Sequence, residues 1–305
     1  MVKINKAIFF LRRHPRILVA HIFTKVFAFL NDKLYLQCLY RIRQGKKLNL
    51  SKPQTFTEKI QWLKLYGRKD IYTQMVDKYE VKKLVANIIG DKYIIPTIGV
   101  WNSIDDIDFE SLPRQFVLKT TFGGGGYVFV CKDKNTLDIN RCKTILQKNY
   151  QQDIYKQLRE FPYKNVPRRI IAEQYIEMDK ECDLVDYKFF CFHGRAEYCQ
   201  VIKDRGTKET IDFYDCNWNH QEFIGLNPLV EHSITPIPKP KAYEEMIEIA
   251  NKLSSSIPFL RVDLYNINGK IYFGELTFYP ASGFGKLNPP QWNYKLGQMI
   301  ELSQQ

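Results

Sequence analysis

Leu260-Arg-Val-Asp-Leu-Tyr-Asn-Ile-Asn-Gly-Lys-Ile-Tyr-Phe-Gly-Glu-Leu-Thr277 decides how this chain is read. Two runs of apolar, β-branched and aromatic residues flank Asn268-Gly269, the composition of a β-hairpin. Arg261, Asp263 and Glu275 interrupt those runs. With Ile267, Asn268 and Gly269 as a loop closed by a left-handed Gly269, Asn266 faces Lys270, Asp263 faces Phe273 and Arg261 faces Glu275. The strand period of two then puts Arg261, Asp263, Glu275 and Thr277 on one face. Two carboxylates beside a guanidinium suit a hard, oxygen-seeking Mg2+ that carries phosphate oxygens. The plainer reading is a half-exposed strand pair with a surface ion pair. Asn-Gly also suits a two-residue type I′ turn. That register sends Asp263 and Glu275 to opposite faces and removes the metal reading.

A second motif lies upstream. Val117-Leu-Lys-Thr-Thr-Phe-Gly-Gly-Gly-Gly126 places Lys119 at a strand end just before Gly123, Gly124, Gly125 and Gly126. Backbone N–H groups without side chains approach phosphate oxygens closely, and a lysine adds a point charge. The spacing is neither a Walker loop nor a dinucleotide-binding fingerprint. Four glycines are entropically costly for a mere hairpin tip, which favours phosphate contact.

Around these motifs the pattern predicts mixed helices and antiparallel hairpins, an α+β architecture. Thr55 and Glu58 form a capping box ahead of an amphipathic helix. Further helices are expected over 76–89, 140–152 and 243–254, and strands over 93–100, 115–121, 127–131 and 169–176. Tyr187–Phe192 and Ala196–Ile202 read as a hairpin around His193-Gly194. The expected division is a basic helical extension at 1–50, an N-terminal lobe at 51–110, a lid subdomain at 111–185 and a C-terminal lobe with the metal site at 186–305.

These segments together resemble the ATP-grasp ligases, and most closely the teichuronopeptide-biosynthesis (TupA-like) branch. The resemblance is carried by Thr55–Tyr66, Val76-Asp-Lys-Tyr79, Phe116-Val-Leu-Lys119 with its glycines, Ile171-Ala-Glu-Gln-Tyr175, Asp186-Tyr-Lys-Phe-Phe190, Arg261-Val-Asp263 and Gly274-Glu-Leu-Thr277. It implies two α+β lobes closing on ATP. Lys78 and Lys119 then correspond to the phosphate-gripping lysines, and 123–126 to the mobile lid loop. Glu173, Tyr175 and Ile176 correspond to the adenine hinge, with Asp179 or Glu181 at the ribose. Lys188 corresponds to the lysine that neutralises the transferring phosphoryl group. Arg261 corresponds to the arginine that stabilises a developing oxyanion, and Asp263 and Glu275 to the Mg2+ ligands. Thr277 stands where many members carry asparagine. Arg205 and the Ser282-Gly283 turn are candidate binders of a substrate carboxylate, with a loop arginine and a plain glycine connection as the alternatives.

The implied chemistry is ATP- and Mg2+-dependent joining of a carboxylate to an amine through an acyl phosphate. The branch suggests cell-surface polysaccharide assembly, such as amidation of a uronic acid or amino acid carboxylate. The competing readings are a sugar-nucleotide glycosyltransferase of the same pathways and a non-catalytic nucleotide-binding module. A glycosyltransferase has no need of Lys78, Lys119 and a glycine lid.

Composition sets the outer bounds. Seven scattered cysteines without a C-x-x-C pair indicate reduced thiols, and the five histidines show no metal spacing. Residues 1–48 hold eleven Lys/Arg against Asp32 alone, so +10 of the net +12 lies there. The nearly neutral remainder argues against a nucleic-acid-binding face. The apolar run Ile17–Leu30 is too short and interrupted to span a bilayer. We read it as a helix packed on the body, with peripheral contact to an anionic membrane as the alternative. ATP use implies a cytoplasmic setting, with the inner face of the membrane as one location within it.

Overall fold

The computed structural model describes residues 15–124, 128–176, 185–204, 208–226 and 230–303. The chain opens with α1 (Pro15–Val26) and α2 (Asp32–Gln44). Next come α3 (Phe56–Tyr66), α4 (Ile71–Val76) and α5 (Glu80–Ile89). Thr55 accepts a hydrogen bond from the Glu58 N–H, and the Glu58 carboxylate accepts from the Thr55 N–H at 3.1 Å, so the expected capping box starts α3. The helix expected over 76–89 is broken instead. Asp77 leaves the helical region and its carboxylate accepts from the Tyr79 N–H, which separates α4 from α5.

Two antiparallel sheets follow. The four-stranded sheet has the order β1-β4-β2-β3, from β1 (Thr97–Trp101), β2 (Phe116–Thr120), β3 (Phe129–Cys131) and β4 (Ile170–Gln174). Between β3 and β4 lie α6 (Ile139–Tyr150) and α7 (Ile154–Leu158). Its edge strand β1 comes from upstream of the 111–185 span, because Thr97–Trp101 pairs with Glu173–Ile170. The six-stranded sheet uses β5 (Asp186–Phe192), β6 (Arg195–Lys203), β7 (Thr210–Asp215) and β8 (His220–Gln221). After the short β9 (Ile224–Gly225) and α8 (Tyr243–Ser254), it is completed by β10 (Phe259–Ile267) and β11 (Lys270–Thr277). The order is β11-β10-β5-β6-β7-β8. The chain closes with β12 (Leu287–Asn288), paired with β9, and α9 (Gln291–Gln298).

Burial explains the layering. Met246, Ile249, Ala250 and Leu253 of α8 share the main core with Phe189, Cys191 and Phe259 of the sheet it backs. Phe116, Leu118, Cys142, Leu146 and Ile170 form the separate core of the small sheet with α6. Ala20, Phe23, Tyr35, Leu36, Leu39 and Phe284 form a third, so the inner face of α1 packs on the body as expected.

The decisive hairpin corrects the expected register. Ile267 pairs with Lys270, and both Asn268 (φ 55°) and Gly269 (φ 91°) are left-handed. The turn is therefore the two-residue type I′ form, not a three-residue loop. Asp263 faces Glu275 rather than Phe273, and Arg261 faces Thr277 rather than Glu275. Leu264 pairs with Phe273 while Asp263 pairs with Glu275, which leaves Gly274 as an unpaired bulge residue. A Cβ there would lie 3.0 Å from the Asp263 carbonyl oxygen, so glycine lets the two strands stay close. The extra residue shifts the alternation by one, and Asp263 and Glu275 return to one face despite the shorter turn.

Candidate active site

The six-stranded sheet delivers four of the candidate side chains. Lys188 on β5 stands opposite Asp263 on β10, and Asp263 stands opposite Glu275 on β11. Arg261 Nε donates to Asp263 Oδ1 at 2.6 Å, and its Nη2 donates to Asp263 Oδ2 at 2.7 Å. The same Nη2 reaches Glu275 Oε1 at 3.2 Å and Thr277 Oγ1 at 3.0 Å. Lys188 Nζ also donates to Asp263 Oδ2 and lies 3.6 Å from Asp186 Oδ1. Burial raises the pKa of the Asp263 carboxyl, but Arg261 and Lys188 outweigh it and hold the group below the usual carboxylate range. Burial likewise lowers Arg261, and Asp263 with Glu275 more than restores it.

The small sheet, with α5 and the break before it, delivers the others. Lys119 on β2 donates to Glu173 Oε2 at 2.5 Å, and Lys82 on α5 donates to Oε1 of the same carboxylate at 2.6 Å. The carboxylate of Glu173, which the resemblance gives to the adenine hinge, is thus engaged by two lysines. Against burial, they hold it below its ordinary pKa. Tyr175 and Ile176 follow β4, half-buried. Lys78 sits in the break before α5, and its Nζ donates to the Gly123 carbonyl at 2.8 Å. Burial pushes the Lys78 ammonium down; Glu275 opposes the shift and Lys119 adds to it. Gly123 is left-handed (φ 84°), which glycine adopts without strain. Gly125, Gly126, Asp179, Glu181 and Arg205 lie outside the described residues.

These groups converge. One cavity of about 440 Å3 is bordered by Lys78, Lys119, Lys188, Arg261, Asp263 and Glu275. A second, of about 680 Å3, shares Arg261, Glu275, Leu226 and Ala281 with it and extends to Arg43, Glu160, Tyr163, Tyr279 and Ser282. Ser282 therefore borders the second chamber. Gly283 instead packs against α3, where a Cβ would fall 2.5 Å from Gln61 Nε2.

A sequence profile of the TupA-like ATPgrasp family matches residues 58–301. The chain belongs to the TupA-like ATP-grasp family. Its two antiparallel sheets with their helices are the ATP-grasp fold. No curated protein matches it closely enough to count as a relative. Among solved structures it is similar to a D-alanine–D-alanine ligase from Bacillus anthracis (16% identity, 74% of this chain and 63% of that one, TM-score 0.43). It is also similar to the Helicobacter pylori enzyme of that name (16%, 82% and 70%, TM-score 0.39) and to the D-cycloserine synthetase DcsG (14%, 75% and 71%, TM-score 0.39). The chain spans 54% of the Bacillus anthracis ligase solved with ATP and 63% of the other structure of it.

Two features of this TupA-like protein escape a reading of the sequence. Lys64 is wholly buried, and its Nζ donates to Leu158 O and Ser282 O at 2.8 Å and to Ser282 Oγ at 2.7 Å. Burial pushes this ammonium down to about 7, against the pull of Glu160 and with the help of Arg43. Burial pushes Glu160 up, against Lys64. The signal was available: Lys64 follows Phe56, Ile60 and Leu63 on the apolar stripe of a capped helix. The second feature concerns histidines with no metal spacing in sequence. His220 Nε2 and His232 Nδ1 both meet Asp212 Oδ1, at 2.9 and 3.1 Å. These hydrogen bonds tie residues near 232 to the outer strands of the sheet.

Proposed function

We propose that this protein is an ATP- and Mg2+-dependent ligase that joins a carboxylate to an amine through an acyl phosphate. The observation that carries the reading is the single cavity on which Lys78, Lys119, Lys188, Arg261, Asp263 and Glu275 meet, next to a larger chamber reached past Arg261. Lys119 comes from the small sheet, Lys78 from the break before α5, whose neighbours Val76 and Val81 pack in the main core, and the remaining four from the large sheet. A triphosphate in this cavity therefore meets cations from three parts of the fold.

The donor set of Asp263 and Glu275, two carboxylates on one sheet face beside the lysines, fits a hard divalent ion. Mg2+, when bound, offsets phosphate charge. A substrate carboxylate is a poor electrophile because its charge resists attack. Its oxygen attacks the γ-phosphorus and ADP leaves. The amine nitrogen then attacks the acyl carbon, sheds a proton, and phosphate leaves. Lys188 stands where charge builds on the transferring group. Arg261, on the wall between the chambers, stands where the acyl oxyanion develops. Gly123 and Gly124, the second of which lines the larger chamber, bring backbone without side chains to the site, where it would help to shield the acyl phosphate from water.

The larger chamber is the proposed acceptor site. Arg43 borders it with a buried Nε that has no hydrogen-bond partner, and Tyr163, Tyr279 and Phe284 supply ring faces. A guanidinium with an unpartnered Nε beside rings suits an anionic sugar, which favours a uronic acid or its polymer, and hence cell-surface polysaccharide synthesis. An ADP-release screen over uronic or amino acids paired with amines tests this. At least one pair should release ADP and phosphate, and Lys119→Ala should abolish it. Release from no pair, together with no thermal protection by ATP and Mg2+, would end the proposal.

A further inference from the structure

The outer side of α1 is as apolar as its inner side. Ala20 and Phe23 face the body, whereas Leu18, Ile22 and Val26, four residues apart, fall on the opposite side and are 42%, 52% and 56% exposed. Val19 lies beside them, and Phe27 and Phe29, with ring centroids 6.1 Å apart, extend the patch beyond the helix. Phe29 is 78% exposed, and Leu34 is exposed in the first turn of α2. Seven of the seventeen large hydrophobic residues exposed among the described residues thus lie within 18–34. Exposed apolar side chains scattered singly need no explanation, but a contiguous set does. Arg16, Lys25, Lys33 and Arg41 are exposed along the same two helices. Residues 1–48 carry one acid against eleven Lys/Arg.

We propose that this face docks on an anionic lipid surface, with the apolar row of α1 and Phe29 entering the headgroup boundary and the lysines and arginines meeting lipid phosphates. Charge decides between occupants. A second copy of the chain would set one +10 segment against another, and a neutral apolar partner would leave the cations unanswered. An anionic membrane answers both the apolar row and the charge. Pro15, Arg16 and Ile17, at the start of α1, also line the larger chamber, so docking would place that chamber beside the lipid. The docking itself does not depend on which reaction the protein catalyses.

Vesicle co-sedimentation of the full chain tests this. Binding should be strong to phosphatidylcholine vesicles containing about 30 mol % phosphatidylglycerol, weak to phosphatidylcholine alone, and should fall with added salt. Phe29→Ser, outside the helix, and Ile22→Glu should each weaken binding at least tenfold. Circular dichroism and ATP-dependent thermal protection should be unchanged. If Ile22→Glu fails to fold, Phe29→Ser and Lys25→Glu with Lys33→Glu carry the test. Equal partition to neutral and anionic vesicles, or binding unmoved by these variants, would overturn the proposal. So would a dimer on size exclusion that Phe29→Ser dissolves.

Discussion

Both oxygens of Asp263 are engaged within the protein: Arg261 approaches through two nitrogens and Lys188 through a third, which leaves room on the Oδ1 side for a further partner. Glu275 accepts one longer bond from Arg261 and its side chain is 32% exposed. The two carboxylates therefore answer differently to neutralisation. Asp263→Asn leaves buried Arg261 with only the longer contact to Glu275 and Lys188 with only Asp186 at 3.6 Å, and removing the main partner of a buried pair costs about 3 kcal/mol or more. Glu275→Gln removes a half-open acceptor, whose ion pair is worth about 1 kcal/mol or less. Thermal melts should show a large drop for Asp263→Asn and a small one for Glu275→Gln, while both lose Mg2+-dependent ATP turnover by about 100-fold or more. Equal melting losses would mean that Asp263 is not the hub of the cluster. Glu173 shows what residue-level reading misses. Its place in a strand was legible, but the partners of its carboxylate depend on Lys82 and Lys119 arriving from two other elements.

At the scale of elements, the site depends on one unpaired glycine. Asn268-Gly269 made the hairpin legible, and the alternation of charged and apolar residues made its buried face legible. The turn length was not, because Asn-Gly serves two- and three-residue loops alike. The bulge at Gly274 was hidden for the same reason: its effect on register cancels that of the shorter turn. Short-range signals such as the Thr55–Glu58 box survived intact, whereas the break at Asp77 and the recruitment of β1 into the small sheet depend on tertiary partners. Gly274→Val tests the bulge. Its Cβ would press on the Asp263 carbonyl, 3.0 Å away, and on the Tyr265 ring. A destabilisation of about 1–3 kcal/mol in urea is expected, together with a weaker Mg2+ requirement as Glu275 turns from Asp263. A variant with unchanged Mg2+ dependence would show that the alignment of the two acids does not need the bulge.

Across the whole molecule, two chambers meet at Arg261 and Glu275, and the wall of the larger one is braced by an ionisable pair deep in the protein. Lys64 holds Leu158 and Ser282 together from α3, and Glu160 lies close enough to pull on its charge. Burial lowers the lysine from 10.5 to about 7, so between those values the unfolded chain binds the proton and the folded chain does not. Stability must then rise with pH across that window. Glu160 acts in the opposite sense: its raised pKa means that the folded chain keeps a proton the unfolded one has lost, so stability falls as pH rises out of the ordinary carboxylate range. Lys64→Met should remove the rising limb and leave the falling one, extended upward because Glu160 loses the charge that held it down. Urea midpoints taken from pH 5 to pH 10 on both proteins would show it. A wild-type curve that is flat from pH 7 upward would mean that the ammonium keeps its proton inside the fold, balanced by an ionised Glu160.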